Sequence, residues 1–324
     1  MTPSFEPALE MLWETDDPAA ALSDRFGFDD AAAAGQWVAT ALSDVWGIAV
    51  DSCDRIVMSD HNALAWTRSD GNGYILKWSV VPERFSRLAS VAELTAWLGG
   101  GGVPVSAPVA ALDGRVHVER DGVSMGLQHH VAGHLLDVTR ELEVRAAGSS
   151  LARLHDALAH YLLVEQISQN TSGQRQIETR IVAWLDSERS RSVPGLAKRE
   201  LRRRAAQRSA GALTAQLVHG DFRSANLLVD QGRVVAIIDF EEARQDVPVV
   251  ELAHAAVLLG TRFREWAPVS SEVRRWFLAG YQSVRPLDEL ELEWWDTLVL
   301  WFSLMFIPTG EDPMGWRAAA MELV

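Results

Sequence analysis

Between Leu217 and Ala243 the chain reads LVHGDFRSANLLVDQGRVVAIIDFEEA, and no other stretch constrains the fold as tightly. Two apolar runs, Leu227–Val229 and Val234–Ile238, read as buried strands, and DQGR at Asp230–Arg233 supplies the turn between them. Yet Asp221, Asn226 and Asp239 stand at the ends of these runs, where an apolar hairpin would bring them close together. With a two-residue turn centred on Gln231 and Gly232, Asn226 falls opposite Ile237. Asp239, two residues beyond, then shares its face at a diagonal spacing of about 7–8 Å. A three-residue loop would break that parity. Two oxygen-bearing side chains so spaced suit one or two Mg²⁺ ions rather than zinc, with substrate phosphates completing the shell. Asp221, in the loop leading into the hairpin, is a candidate base for a hydroxyl. A carboxylate for the hydroxyl, with an amide and a second carboxylate for metal, is the set that phosphoryl transfer needs. Taken singly, each residue reads as a turn or cap, since Asp and Asn favour turns. Their joint register with His219 and Gly220 points to catalysis.

The surrounding chain changes character at Gly133. Before it, Arg55–Met58, Ala63–Arg68 and Tyr74–Val80 read as strands, the last two joined by the SDGNG turn at Ser69–Gly73. RVHVER and VSMGLQHHV read as two more, and Ala31–Trp46 and Arg84–Leu98 as helices. The run Gly99–Gly102 follows a helix rather than a strand and precedes no Lys-Ser/Thr pair, so it reads as a helix stop rather than a phosphate loop. After Gly133 the helical segments are Glu141–His160, much of Ile177–Arg208, Val249–Leu259, Glu272–Tyr281 and Glu289–Phe306, interrupted only by the hairpin. The pattern predicts an α+β fold of two lobes.

Composition narrows the class further. The 324 residues are 48% hydrophobic and 23% charged, enough for a large core. The longest apolar stretch, Leu298–Ile307, is too short to span a bilayer. Met1–Ala20 is acidic and has no apolar centre of the kind a secretory signal needs. The single cysteine, Cys53, excludes an internal disulfide and fits a reducing compartment, so a cytoplasmic location without a membrane partner is expected. Of the 30 basic and 44 acidic residues, ten and four lie in Arg175–Arg208, which leaves the rest of the chain at −20. Such a body is poor for DNA and attractive for a cation. The run Lys198–Arg204 reads as a solvated helix face, and no nucleic-acid partner is expected.

HGDFRSAN (His219–Asn226), followed by IDF (Ile238–Phe240), closely resembles the signature of the aminoglycoside phosphotransferase and choline kinase-like families. The match is H-G-D-x₄-N, then thirteen residues to the Asp of I-D-F. LARLHDAL (Leu151–Leu158) is similar to the helix ahead of their catalytic loop. GVPVSAPV, after Glu93-x₄-Leu98, is similar to their link from the N-lobe helix to the next strand. The resemblance spans roughly Val50 to Ala255 and implies a bilobal protein-kinase-like fold. A small antiparallel-sheet N-lobe with N-terminal helices (1–130) would bind nucleotide, and a mainly helical C-lobe (131–324) would carry the catalytic and substrate sites.

Residue by residue, the resemblance implies the following roles. Asp221 orients and deprotonates the acceptor hydroxyl, and Asn226 and Asp239 bind Mg²⁺. Arg223, where protein kinases usually carry lysine, stabilises the transferring phosphoryl. Lys77 holds the α- and β-phosphates, paired with Glu93, for which Glu83 competes. Gln128, His129 and His130 form the hinge that meets the base. Ser59 and Asn62, in SDHNA, lie in the loop over the phosphates, although that loop lacks glycine. Glu241 stands where a glycine often follows the metal pair, and Glu251 in ELA replaces the commoner D-L-A.

The implied activity is an ATP- or GTP-dependent, Mg²⁺-requiring transfer to a hydroxyl of a small molecule. No A-P-E-like anchor follows IDF, which argues against a protein acceptor. The acidic body suits an amine-bearing acceptor such as an aminoglycoside or another antibiotic, with antibiotic resistance as the role. GYQSVRPLDELE (Gly280–Glu291) somewhat resembles homoserine-kinase-like members, so a small amine-bearing metabolite is the rival. A binding-only, pseudokinase-like protein would need a damaged catalytic set. Glu242, Asp246, Glu265 and Asp296 are candidate acceptor contacts, and Trp266, Trp294, Trp295 and Trp301 include a candidate stacking wall. His155 is expected to be structural, hydrogen-bonded towards the catalytic loop. His129, His130 and His134 lack the cysteine or acidic partners of a zinc site. Nothing in the sequence indicates an oligomeric state.

Overall fold

The computed structural model describes residues 5–167, 176–208 and 213–324, and it separates into two units, Met1–Ala132 and Gly133–Val324. The first unit holds β1 (Ala8–Met11), α1 (Pro18–Phe26), α2 (Ala31–Ala41), β2 (Ser52–Met58), β3 (Ala63–Ser69) and β4 (Asn72–Ser79). It continues with α3 (Phe85–Gly100), β5 (Pro108–Val109), β6 (Val118–Arg120) and β7 (Val123–His129). The strands form one seven-stranded sheet in the order β1-β2-β3-β4-β7-β5, with β6 also on β7.

Period-two alternation gives this sheet two different faces. Ala63, Ala65, Leu76, Trp78, Met125 and Leu127 are buried and stand in register on one face. Leu22, Phe26, Ala34 and Val38 of α1 and α2 join them in one core, where Trp78 meets Phe26 at 5.9 Å and Trp37 at 5.3 Å between ring centroids. The other face carries Leu64, Lys77 and Gly126 in register, flanked by Trp66, Ile75 and Gln128, and these are half-buried. Asp70 and Gly71, both at positive φ, make the tight β3–β4 turn that the sequence announces.

Three expectations for this unit need adjusting. The sheet is not wholly antiparallel, because β1 runs parallel to β2. At four residues, β1 is too short to show a pattern. The helix from Ala31 widens into a π turn at Leu42–Trp46, closed by Gly47 in the left-handed region. The helix from Arg84 runs on through Gly100, and Gly102 at φ 79 follows its end.

The second unit begins with β8 (His134–Leu135), α4 (Glu141–Leu158), α5 (Val164–Ile167), α6 (Ile177–Leu185) and α7 (Gly195–Ala206). Then come β9 (Gln216–Val218), β10 (Leu227–Asp230), β11 (Arg233–Ile237), β12 (Arg244–Asp246) and α8 (Pro248–Leu258). The chain ends with α9 (Ser271–Gln282), α10 (Glu289–Met305) and α11 (Trp316–Met321). The hairpin is therefore not the only β structure here: β8 extends it to three strands, and β9 pairs with β12 separately. Helices α4 and α9 cross at two glycines. A Cβ on Gly148 would strike the Phe277 carbonyl, and one on Gly280 the Arg145 carbonyl.

The basic run of α7 is bound within its own unit. Arg203 and Arg204 pair with Glu200, Arg202 with Asp186, and Arg204 also reaches the Leu323 carbonyl at 2.8 Å. Arg175, which opens the basic segment, lies outside the described residues, as do residues 1–4 of the acidic N-terminus. Among the described residues no helix is long and apolar enough to cross a membrane.

Candidate active site

Five hydrogen bonds hold the loop that carries Asp221. Glu251, on the first turns of α8, accepts the His219 N–H at Oε2 (3.0 Å) and the Gly220 N–H at Oε1. Arg244 Nη1 donates to the Gly220 carbonyl at 3.1 Å. His219 Nδ1 accepts the Asp221 N–H at 3.2 Å, while Nε2 donates to the Ile238 carbonyl at 3.0 Å. Gly220 itself is at φ 89, and a Cβ there would strike the Glu242 carbonyl, so only glycine permits this approach. Burial pushes the Glu251 pKa up, but the hydrogen bond from His155, attraction to the His155 and His219 rings and the Gly220 N–H together outweigh it and bring the value down to about 2.

The Asp221 side chain is held as closely as its backbone. Arg223 Nε lies 2.8 and 3.0 Å from its two carboxylate oxygens. Asn226 Nδ2 donates to both its backbone carbonyl and Oδ2 at 2.8 Å. Both amide protons of Asn226 thus point at Asp221, and its carbonyl Oδ1 is the atom left for a cation.

The hairpin register differs from the sequence expectation. The two-residue turn is as read, with Asp230 opposite Arg233, but a bulge between Leu228 and Val229 shifts everything beyond it by one residue. Leu227, not Asn226, therefore faces Ile237, and Asn226 sits in a 3₁₀ turn outside β10. The Asn226 carbonyl accepts the Ile238 N–H at 3.0 Å. Ile238 is thus tied at both ends, to Asn226 by its N–H and to His219 by its carbonyl. Asp239 follows it in the left-handed region at φ 64 and ψ 70, exposed, rather than as the next strand residue. The same pair of motifs meets, through backbone bonds instead of a shared strand face.

Of the acceptor candidates, Asp246 is engaged elsewhere. Both its oxygens are held by Arg180, at 2.6 and 2.9 Å, Oδ1 also takes the Val247 N–H, and the residue is 2% exposed. It is a structural ion pair joining α6 to β12. Glu242, Glu265 and Asp296 are exposed, and among the described residues no hydrogen bond or ion pair ties their side chains to Asp221. Trp294 and Trp301 are buried, Trp301 against Phe302 and beneath Arg180.

Trp266 is different. It is 38% exposed, and the Arg223 guanidinium lies 5.3 Å over its ring. Phe306 follows at 6.2 Å, and His254 packs on Phe302 and Phe306 at 4.9 and 6.2 Å. Burial first, and then Arg244, depress the His254 pKa to about 4, so this ring is uncharged at neutral pH. Sequence reasoning missed His254. The signal was its spacing from Glu251, which puts both on one face of α8 one turn apart.

In the first unit, Lys77 lies on the half-buried sheet face, two residues from Ile75, the partner of Gln128. His117, another residue not anticipated, packs over Gly126 in that region and bonds Ser124 Oγ at 2.6 Å. Its pKa is depressed to about 4 by burial first and then by the Lys77 charge. Glu93 and Glu83 are exposed. Ser59 and Asn62 close a tight β2–β3 turn in which the Ser59 N–H donates to the Asn62 carbonyl at 2.9 Å. His129 stacks obliquely on Tyr74 at 5.2 Å, and the His130 N–H donates to the Gly73 carbonyl at 2.9 Å. His134 does find an acidic partner, Glu143, at 3.2 Å.

A sheet-bearing first unit, a mainly helical second unit, and a loop of His219, Asp221 and Asn226 tied to an I-D-F turn together fit a protein-kinase-like fold with a candidate Asp–Asn–Asp site. The sequence profile of the phosphotransferase enzyme family (APH) matches residues 56–287, and the chain belongs to that family. Among characterised relatives it is 30% identical over 216 residues to the homoserine kinase of Methylobacillus glycogenes, covering 64% of this chain and 63% of that protein. It is 26% identical to the homoserine kinase of Neisseria meningitidis serogroup B, covering 63% and 65%. The chain thus spans somewhat under two thirds of the length of these relatives. Among solved structures it is similar to the amicoumacin kinase hAmiN in complex with AMP-PNP, Ca²⁺ and Ami, with a TM-score of 0.61, 15% identity, and 89% and 91% of the chains covered. It is also similar to the macrolide 2′-phosphotransferase MphH of Brachybacterium faecium, with a TM-score of 0.57, 16% identity, and coverage of 89% and 96%. At those identities the likeness concerns the fold.

Proposed function

We propose that this chain transfers the γ-phosphoryl group of ATP or GTP to a hydroxyl of a small, amine-bearing molecule, with Asp221 as the base. The observation that carries this reading is the immobilised Asp221 carboxylate, gripped by Asn226 and Arg223 on a loop pinned through Glu251. As the acceptor oxygen bonds to the γ-phosphorus and the bond to the nucleoside diphosphate breaks, Asp221 takes the hydroxyl proton. Arg223 orients Asp221 through Nε, and its Nη1, buried and without a partner among the described residues, is a donor for charge that develops nearby. The donor set of Asn226 Oδ1 and Asp239 fits a hard cation, and no cluster of three or more His, Cys, Asp or Glu is gathered among the described residues. Mg²⁺ bound there would neutralise phosphate charge. Lys77, Gln128, His129 and His130 are our candidates for nucleotide contacts, with Ser59 and Asn62 in the adjoining turn and Glu93 the least supported.

For the acceptor, a compact amino-acid- or amino-alcohol-like molecule of the homoserine type is favoured. The matched relatives act in that class by name, and Asp246, one carboxylate that could meet a polycation, is held by Arg180. An aminoglycoside or other antibiotic is the second reading, favoured by the acidic balance of the chain. ADP and GDP release, measured across homoserine, amino alcohols, aminoglycosides, macrolides and peptide antibiotics with Mg²⁺ present, tests both. Turnover on a small amino acid or amino alcohol, lost in Asp221→Asn, is the expected result. Turnover on antibiotics alone reverses the order, and none on any acceptor sinks the proposal.

A further inference from the structure

We propose that Arg285, Tyr281 and His155 form a one-directional hydrogen-bond relay that holds Glu251, and through it the Asp221 loop, in position. Tyr281 and His155 are positioning residues for the transfer proposed above, and the inference rests on that reading.

The direction follows from which groups can donate. Arginine carries only N–H donors, so the Tyr281 oxygen must accept from Arg285 Nη1, 2.9 Å away. Arg285 is itself held by Glu291, at 2.8 Å from Nη2 and 3.3 Å from Nη1. The phenolic proton then has one partner left, His155 Nδ1 at 2.8 Å. A ring nitrogen that accepts leaves the imidazole proton on Nε2, which donates to Glu251 Oε2 at 2.8 Å. Glu251 is therefore an acceptor throughout, for His155 and for the backbone N–H groups of His219 and Gly220. Any other arrangement strands a proton in the core, where Tyr281, His155 and Glu251 are 0%, 1% and 2% exposed. With the opposite tautomer or a doubly protonated ring, His155 would also donate to Tyr281, and the phenolic hydrogen would face no acceptor.

The relay joins α9, α4 and α8 to the loop one residue before the base. His155 lies 126 residues from Tyr281 and 96 from Glu251 in sequence. Glutamate rather than aspartate at 251 supplies two oxygens with the reach for three donors.

Long-range ¹H–¹⁵N correlation of the histidine-labelled full chain reads the tautomer directly, with the His155 signals assigned by their loss in His155→Gln. The expected wild-type pattern is a neutral ring protonated at Nε2. Tyr281→Phe, which takes the donor from Nδ1 while Glu251 still accepts from Nε2, should move the Nδ1 shift to that of an unbonded nitrogen and lower kcat tenfold or more, of the order that small misplacements cause, with the nucleotide KM unchanged. His155→Gln, which keeps an N–H towards Glu251, should retain more kcat than His155→Leu. A wild-type ring protonated at Nδ1 or at both nitrogens overturns the relay, as does Tyr281→Phe with the Nδ1 shift and kcat unaltered. The wild-type spectrum needs neither a folded variant nor turnover. A chain that phosphorylates nothing would defeat the proposed function while leaving this measurement decisive for the relay.

Discussion

A carboxylate as enclosed as that of Glu251 stays ionised only because donors from three directions meet it. Replacing it by glutamine turns one acceptor oxygen into an N–H that faces backbone N–H groups. Glu251→Gln should lose about 1–3 kcal/mol of unfolding free energy in urea. Asp221 and Asp246 make a useful contrast, since both are paired with arginine. Asp221→Asn should cost on the order of 10²–10⁴ in kcat and leave the urea midpoint nearly unchanged. Asp246→Ala should instead leave Arg180 without its partner and cost about 3–5 kcal/mol of stability. Were its main effect a raised acceptor KM in a stable protein, the structural reading of Asp246 would fail. Asp221, Asn226 and Asp239 stood out because their motifs are local, although the register that joins them differs from the one their spacing suggested. The pairing of Asp246 was hidden because its partner, Arg180, lies 66 residues away.

At the scale of elements, the α4–α9 crossing sets how closely Tyr281 approaches His155. The two helices touch backbone to backbone at Gly148 and Gly280, and Gly280 precedes Tyr281 directly. Alanine at either position must push the helices apart, at about 1–3 kcal/mol or more. Chemical denaturation of Gly148→Ala and Gly280→Ala checks this, and neutral effects would show that the crossing yields freely. The longer helices and the strands β2, β3 and β4 follow their apolar periodicity and could be read within a few residues. The strands β1, β8, β9 and β12, of two to four residues, could not. The extra residue in β11, Val235, was equally hidden, because the alternation of two apolar strands looks the same with or without one.

For the molecule as a whole, the buried titratable groups predict how acid unfolds it. His117 and His254 have pKa values depressed to about 4 from 6.5, so they are neutral in the native state and must charge as the pH falls. Their contribution to stability is complete above about pH 6.5 and disappears as the pH drops to 4. Glu251, at about 2 against 4.5, adds a second loss between pH 4.5 and 2. Thermal melts should show Tm falling through both windows, with the upper step reduced in His254→Phe. A Tm flat from pH 6.5 to 4 would contradict it.

By itself the amino-acid sequence determined the class of fold, the division into a strand-rich and a helix-rich part, and the Asp221–Asn226–Asp239 motif. Those rest on periodicity and short spacings, which a chain expresses locally. Only the tertiary structure decided what surrounds the motif: the neutral His254 beside aromatic rings, the binding of Asp246 by Arg180, and the line from Arg285 to Glu251. Each of these joins residues from separate elements, and a buried donor finds its acceptor by packing rather than by distance along the chain.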